Sequence, residues 1–335
     1  MNFLVTGSAG FIGSSFVRQA LMGSAKHKAW FGPSDRIVSL DLLTYAASLE
    51  NLEPIQKDSR HTFVKGDICD KNLVQSLIKE HRPNCIINFA AESHVDRSIE
   101  SSEPFARTNV MGTVNLLDLA RAHNLRFVQV STDEVYGSLG ATGSFVEETP
   151  LAPNSPYSAS KAAADCFVRS YFETHKLECV ITRCSNNYGP YQFPEKFLPL
   201  SITRLLADQK IPVYGKGNNV RDWLHVEDHC EGVYLSATKG RSGEAYNFGG
   251  FGEEQNIVMA KKLIALLAKN EAASLSFVDD RKGHDFRYSM DSKKAQKELG
   301  WAPRYSLDEG LKDLVRWYQS NKAWWGPKLP QALKS

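Results

Sequence analysis

The chain has 335 residues, 42% of them hydrophobic and 23% charged, which is enough to bury a large core in one or two lobes. With 40 Lys and Arg against 38 Asp and Glu, the formal charge is +2. That excludes the strong basic field of a nucleic-acid binder, so any anionic ligand must be held locally. No apolar run is long enough to cross a bilayer, and the first residues pass directly into Phe3-Leu4-Val5 without a basic leader, so a cytoplasmic location is expected.

Short apolar runs recur along the first half: Phe3 to Thr6, Ile37 to Asp41, Thr62 to Lys65, Cys85 to Phe89, Phe127 to Ser131 and Cys179 to Arg183. Helical patterns lie between them at Ile12 to Leu21, Asn72 to Glu80, Pro104 to Ala122 and Tyr157 to His175. This alternation predicts an α/β fold, a doubly wound parallel sheet with helices on its faces. After Asn187 the rhythm is cut by Pro190, Pro194, Pro199, Pro212, Gly215 and Gly217, and a helical tail returns near Leu307 to Ser320. Residues 1–187 are therefore expected to form a dinucleotide-binding lobe that carries the catalytic groups. Residues 188–335 are expected to form mainly a smaller, irregular α/β lobe for substrate, the chain being free to cross between the two. The stretch Gly137 to Pro156 reads as an ordered loop. The six cysteines show no metal-ligand spacing and read as reduced thiols, with no metal site implied.

The first strand runs into Thr6-Gly7-Ser8-Ala9-Gly10-Phe11-Ile12-Gly13, three glycines across a strand-to-helix turn. Glycine permits a sharp turn and close approach of backbone to a pyrophosphate, and a helix N-terminus adds free N–H groups. Asp41 ends the second run, where a carboxylate can accept both adenine-ribose hydroxyls and repel the extra phosphate of NADP, so the Rossmann-type cofactor expected is NAD. Asp41 lies 28 residues past Gly13, beyond the roughly 20 of the usual fingerprint, and the surplus sits in a surface insertion at Gly23 to Pro33. Asp67 ends the third run. The fourth delivers Ala90-Ala91-Glu92-Ser93-His94, whose small residues let backbone lie against the cofactor; His94 itself reads as a loop residue and not as a catalyst.

The fifth run ends in Ser131-Thr132-Asp133-Glu134-Val135-Tyr136-Gly137, and Tyr157-Ser158-Ala159-Ser160-Lys161 follows 25 residues after Thr132. Tyr157 and Lys161, at i and i+4, share a helix face, so the ammonium is expected to draw the phenol down towards the working range as a base for alcohol oxidation. Each string alone is weak, since a YxxxK pair is usually an exposed helical pair and adjacent acids usually a solvated turn. Together with the glycine turn they specify one crevice.

On these residues the chain resembles the extended short-chain dehydrogenase/reductase family. Within it, Thr132 to Gly137, Asn186 to Lys196 and Asn219 to Asp228 look like the corresponding runs of dTDP-glucose 4,6-dehydratases. The resemblance implies oxidation at C4 with Tyr157 as base, proton removal from C5 by Glu134, protonation of the C6 hydroxyl by Asp133, and return of hydride to C6. Asp133 would then have to be held neutral beside an ionised Glu134. It adds Phe11, Ile12, Thr44, Ile68, Thr108 and Asn186 to the NAD contacts. It assigns the nucleotide sugar to Ser93, Thr132, Asn187, Lys196, Phe197, Arg221, Asn256, Arg281 and His284, with Pro212, Val213 and Tyr214 walling the base. Leu42, Phe197 and Lys282 depart from the family's usual residues. Relatives pair through the helices near 104–122 and 157–175, so a homodimer is expected. The competing readings are a dehydratase for another nucleotide sugar such as UDP-glucose, a 4-epimerase or decarboxylase of the same fold, and a non-catalytic NAD-binding regulator. Neither epimerase nor decarboxylase needs an Asp-Glu pair, and the regulator has little reason to keep Tyr157, Lys161, Asp133 and Glu134 together.

Overall fold

The computed structural model describes residues 1–280 and 285–329. The six apolar runs become strands β1 (Asn2–Thr6), β2 (Arg36–Asp41), β3 (His61–Lys65), β4 (Cys85–Asn88), β5 (Arg126–Thr132) and β6 (Cys179–Cys184). They pair in parallel in the order β6-β5-β4-β1-β2-β3. Strands β4 and β6 are buried at every position, as strands covered on both faces must be, which is why these runs read as continuous and not alternating. The strand order reverses between β1 and β4, and the crevice beyond their carboxyl ends is where a doubly wound sheet binds its ligand.

Beyond β7 (Asn186–Tyr188), β8 (Ile211–Tyr214) and β9 (Val220–His225), the strand Ala245–Phe248 (β10) comes back to pair in parallel with β6, making the sheet seven-stranded. The sequence reading has no counterpart for it, because four residues carry no usable period. The strands β7 and β9 join β11 (Glu253–Gln255) in a small sheet, and β8 pairs with β12 (Leu275–Val278).

Helices Phe11–Met22, Lys71–His81, Pro156–His175 and Leu307–Ser320 lie within two residues of expectation. The helix expected over Pro104 to Ala122 is divided: a turn at Glu103–Phe105, a π-helical stretch over Ala106–Gly112, then a regular helix Thr113–Ala122. The wider turn allows Asn109 to bond three ways: its amide donates to the Glu92 carbonyl and the Ser160 hydroxyl, and its Oδ1 accepts from Glu92 N.

Two apolar clusters sandwich the sheet. Phe16 and Val17 meet Val226 and Val233 on one face; Leu77, Leu116, Leu117 and Val168 pack on the other. A separate cluster of Ile202, Val213, Met259, Leu263, Leu314 and Tyr318 forms the core of the later segments. Burying each such side chain contributes about 1.5–3 kcal/mol, so each part has its own cohesion.

The insertion Gly23 to Pro33 is more than the surface excursion expected. His27 is buried within it, with Nε2 at 3.0 Å from Asp228 Oδ1 and Nδ1 at 3.3 Å from Glu231 Oε2. Burial pushes its pKa down, but the hydrogen bonds to Asp228 and Glu231 outweigh burial and raise it to about 9. Asp228 also accepts from the backbone N–H groups of Arg304 and Tyr305, so one imidazolium ties the insertion to helix Val226–Lys239 and to the loop before helix Leu307–Ser320.

Candidate active site

The glycine turn is dictated by crowding. Gly7 has φ +64°, and a Cβ there would stand 2.6 Å from Ala90 N; one on Gly13 would stand 2.2 Å from the Gly7 carbonyl oxygen. A Cβ on Gly10 would meet only the Gly7 oxygen, at 3.4 Å, so that glycine is set by approach to the crevice and not by packing. Gly10 caps helix Phe11–Met22 without a side-chain hydrogen bond, and the first turn has no acidic residue. Its N–H groups are left for an anion. Gly7, Gly10, Phe11, Ile12 and Gly13 all line one cavity at the strand ends.

Asp41 accepts from Ala9 N at 2.9 Å and Leu43 N at 2.7 Å, one bond per carboxylate oxygen, which leaves further lone pairs facing the cavity for two hydroxyls. Burial raises its pKa, and the N–H groups of Leu43, Ala9 and Gly10 oppose that rise. Thr44, Asp67, Ile68, Ala90, Ala91 and Thr108 line the same cavity, Thr108 from the π-helical stretch. So does Asn186, whose buried Oδ1 is without a partner, as is the buried Oγ of neighbouring Ser185. Turn, uncapped helix end, ribose-facing carboxylate and unsatisfied polar atoms fit a dinucleotide.

Five further residues converge on this cavity: Thr132, Asp133, Glu134, Tyr157 and Lys161. Strand β5 carries the first of them to its end, where Asp133–Tyr136 turns as a short 3-10 helix and the Thr132 hydroxyl accepts from Glu134 N. Ser155 starts helix Pro156–His175 with a reciprocal cap to Ser158, which fixes Tyr157 in the first turn and Lys161 one turn later. Asp133 is buried, receives the Thr132 hydroxyl at 3.2 Å on Oδ1, and has no partner on Oδ2. Burial raises its pKa well above the carboxylate range; Glu134 and Asp222 add to the rise, and the Thr132 hydroxyl and Arg221 work against it. Its surroundings therefore favour the neutral acid over the carboxylate.

The phenol behaves otherwise than expected. Burial, then the charges of Glu134, Cys184 and Asp133, push the Tyr157 pKa well up, and only its hydrogen bond with the Thr132 hydroxyl pulls it down. The Lys161 ammonium is buried and donates to the Val130 carbonyl at 2.6 Å, so its nearest partner is the strand backbone. Spacing placed Tyr157 and Lys161 together, but it could not show that burial and the acidic turn would act on the phenol.

Several supporting residues escaped the sequence reading. Arg183 on β6 donates through Nε to Asp165 Oδ2 at 2.9 Å and through a guanidinium N–H to the Tyr136 oxygen at 2.8 Å; the Tyr136 hydroxyl donates to Asn247 Oδ1 at 2.9 Å. This buried chain buttresses the acidic turn from behind, and its last member comes from β10. Glu92, Gln192 and Glu195 also line the cavity. A polar residue beside an assigned one, as Glu195 is beside Lys196, was the available signal.

Of the residues assigned to the nucleotide sugar, Ser93, Thr132, Asn187 and Lys196 line the cavity, whereas Phe197, Pro212, Val213, Tyr214, Arg221 and Asn256 do not. Lys196 donates to the Ser93 carbonyl at 2.9 Å, and Asn187 Oδ1 meets His229 Nδ1 at 2.9 Å. Phe197 packs near Trp223. Val213 cannot present its side chain as a wall, because the alternation of β8 turns it into the apolar cluster of the later segments, leaving Pro212 and Tyr214 on the outer face. Arg221 is no solvated surface charge: it is buried, donates to the carbonyls of Val220, Asp285 and Phe286, and lies 4.4 Å over the Tyr288 ring. Asn256 Oδ1 is buried without a partner. Arg281 and His284 lie outside the described residues.

Comparison with known proteins agrees with this geometry. The family model described as GDP-mannose 4,6 dehydratase matches residues 4–314. A dTDP-glucose 4,6-dehydratase of Xanthomonas campestris is 48% identical over 96% of this chain and 94% of its own length, and one from Streptomyces antibioticus is 51% identical over 98% and 95%. Among solved structures, the dTDP-glucose 4,6-dehydratase DesIV of Streptomyces venezuelae, with NAD and TYD bound, superimposes with a TM-score of 0.93 at 48% identity, covering 98% of this chain and all of that one. A UDP-glucose 4-epimerase from Thermotoga maritima, with UDP-glucose, has a TM-score of 0.86 at 27% identity, covering 96% of this chain and 99% of its own.

Proposed function

Since this chain belongs to the dTDP-glucose 4,6-dehydratase family, we propose that it is an NAD-dependent hydro-lyase converting dTDP-glucose to dTDP-4-keto-6-deoxyglucose. The observation that carries the reading is the buried Asp133, its Oδ2 without a partner and its pKa pushed up by burial, next to Glu134 in the same cavity as Tyr157 and the glycine turn. Oxidation alone needs no such pair; expulsion of a hydroxyl does.

NAD, when bound, supplies the hydride acceptor for C4, the hydride donor for C6 and a positive charge that opposes the upward push of the carboxylates on the phenol. Tyr157 takes the C4 hydroxyl proton, with Thr132 as its hydrogen-bond partner. The C4 ketone acidifies C5–H, and Glu134 removes that proton. Asp133 gives its proton to the C6 hydroxyl, which leaves as water. Glu134 then returns its proton to C5, and the proton held by Tyr157 restores Asp133, so the protein ends as it began. Lys161, fixed on the Val130 carbonyl, keeps a positive end beneath the helix turn that carries the phenol.

In the later segments, Arg221 and Lys196 would clamp the diphosphate and Pro212 and Tyr214 would flank the base, with Asn187 and Asn256 turning polar atoms to the sugar. The division of labour we propose keeps NAD and proton transfer in residues 1–187 and nucleotide recognition mainly in 188–335. We further propose a cytoplasmic homodimer joined through the helices near 104–122 and 157–175, where Met111 and Phe167 stand exposed. No described helix is long and apolar enough to cross a membrane.

The test is dTDP-glucose deuterated at C4: the reading requires dehydrated product with deuterium at C6. Recovery of dTDP-galactose would indicate epimerisation, and unchanged substrate a different sugar or a regulator.

A further inference from the structure

A dehydratase that lends its hydride and takes it back cannot let the cofactor leave in between, and the structure contains a device suited to that need. Three loops rise from the ends of three strands around the cavity: the one after β2 lines it with Leu42, Thr44 and Ala46, the one after β4 with Ala91, Glu92 and Ser93, and the one after β7 with Gln192, Phe193 and Glu195. Their far sides are tied together. Tyr45 donates its hydroxyl to Glu195 Oε1 at 3.2 Å, and the Arg97 guanidinium lies 3.8 Å over the Tyr45 ring. His94 Nε2 stands 3.8 Å from Glu195 Oε2, Lys196 donates to the Ser93 carbonyl at 2.9 Å, and Phe193 meets the Tyr45 ring edge-on at 5.7 Å. Each loop thus touches both others, and the Glu195 side chain at the junction is only 2% exposed.

We infer that Tyr45, Arg97 and Glu195 form a latch that joins the three loops across the cofactor crevice and sets the rate at which NAD escapes. This rests on the NAD-dependent reading above. The loop that carries Tyr45 follows Asp41 directly, so a dinucleotide held by Asp41 and the glycine turn would occupy the cavity that the three loops border. Leaving requires at least one of the three ties to open. Tyr45 and Arg97 are not among the residues that line the cavity, so their effect falls on escape more than on the chemistry of the turn. Carboxylate, phenol and guanidinium form a mutually dependent set, because the carboxylate anchors the phenol whose ring face the cation covers.

The experiment uses the purified holoenzyme and follows exchange of bound NAD for isotopically labelled NAD, with Tyr45→Phe, Arg97→Gln, Glu195→Gln and the double variant Tyr45→Phe/Glu195→Gln. Loss of the phenol hydroxyl should speed exchange about tenfold, in line with one hydrogen bond to a charged group. The double variant should exchange no faster than the faster of its two single variants, since Tyr45→Phe removes and Glu195→Gln weakens the same tie. During turnover, a second NADH-consuming dehydrogenase should trap reduced cofactor from the variants and none from the wild type. Exchange rates within twofold of wild type in all variants, or additive effects in the double variant, would overturn the latch while leaving the dehydratase reading intact. A wild-type protein that binds no NAD would overturn both.

Discussion

The cavity lining and the region proposed for the nucleotide are built differently. At the dinucleotide end, each functional group sits at the tip of a strand or the start of a helix, and its neighbours in sequence are its neighbours in space: Gly7 to Gly13, Asp41, Ala90 and Ala91, Thr132 to Glu134, Tyr157 and Lys161. At the nucleotide end, Arg221 is held by the carbonyls of residues 285 and 286 and faces Tyr288, more than sixty positions away. The first end is a consequence of sheet topology; the second exists only after the later segments have packed.

Substitutions can break or sharpen that contrast. The largest effect should come from Tyr157→Phe, which removes the hydroxyl from the dinucleotide end and should lower turnover by about 10²–10⁴ with NAD still bound, read from product formation at saturating substrate. Glu134→Gln should come next, at about 10²–10³ in overall rate. Here oxidation at C4 should proceed without elimination, so reduced nicotinamide should accumulate in single-turnover absorbance; wild-type turnover would remove Glu134 from its role. Asp133 adds a pH signature: its pKa is raised and its proposed role is the acid, so the elimination step should fall as pH climbs through that raised value, read from a pH–rate profile of single turnovers.

His27 ties the insertion to helix Val226–Lys239, away from the cavity lining, and His27→Gln should cost about 3 kcal/mol of unfolding free energy near neutral pH, since it removes one partner of a buried ion pair. The sign follows from a folded pKa raised to about 9 above an ordinary value of 6.5. The wild-type advantage should be complete below 6.5 and disappear as pH rises through about 9, in denaturant titrations across that window. Arg221→Gln should act mainly on nucleotide binding, raising KM by roughly 30-fold, about 2 kcal/mol, and changing kcat less. The smallest effect belongs to Tyr136→Phe, which cuts the buttress behind the acidic turn. A severalfold fall in kcat is expected, about 1 kcal/mol, with the NAD exchange rate unaltered.

The same contrast explains what could be read in advance. Six strands of the main sheet and the Tyr157–Lys161 helix were legible because buried parallel strands and capped helices leave runs and spacings in the sequence. The strand Ala245–Phe248 was not, being four residues long and defined by its pairing with β6. Nor was the division of the 104–122 helix, since π-helical hydrogen bonding leaves no period of its own. Charge was the harder loss. The sequence put an ammonium one turn from Tyr157 and so pointed to a lowered phenol, but Lys161 is engaged with Val130 while burial, and after it Glu134, push the phenol up. Val213 shows the same limit at the nucleotide end, where the choice of strand face was open until β8 had packed.

The late return of β10 also governs how this molecule comes into being. Strand β6 is complete at Cys184, yet its outer partner is not made until Phe248, so a nascent chain exposes an unpaired ladder edge for some sixty residues of synthesis. Cutting the gene after residue 187 would make that exposure permanent, and such an open rim is a template for pairing with other copies. The front half is therefore expected to precipitate when expressed by itself.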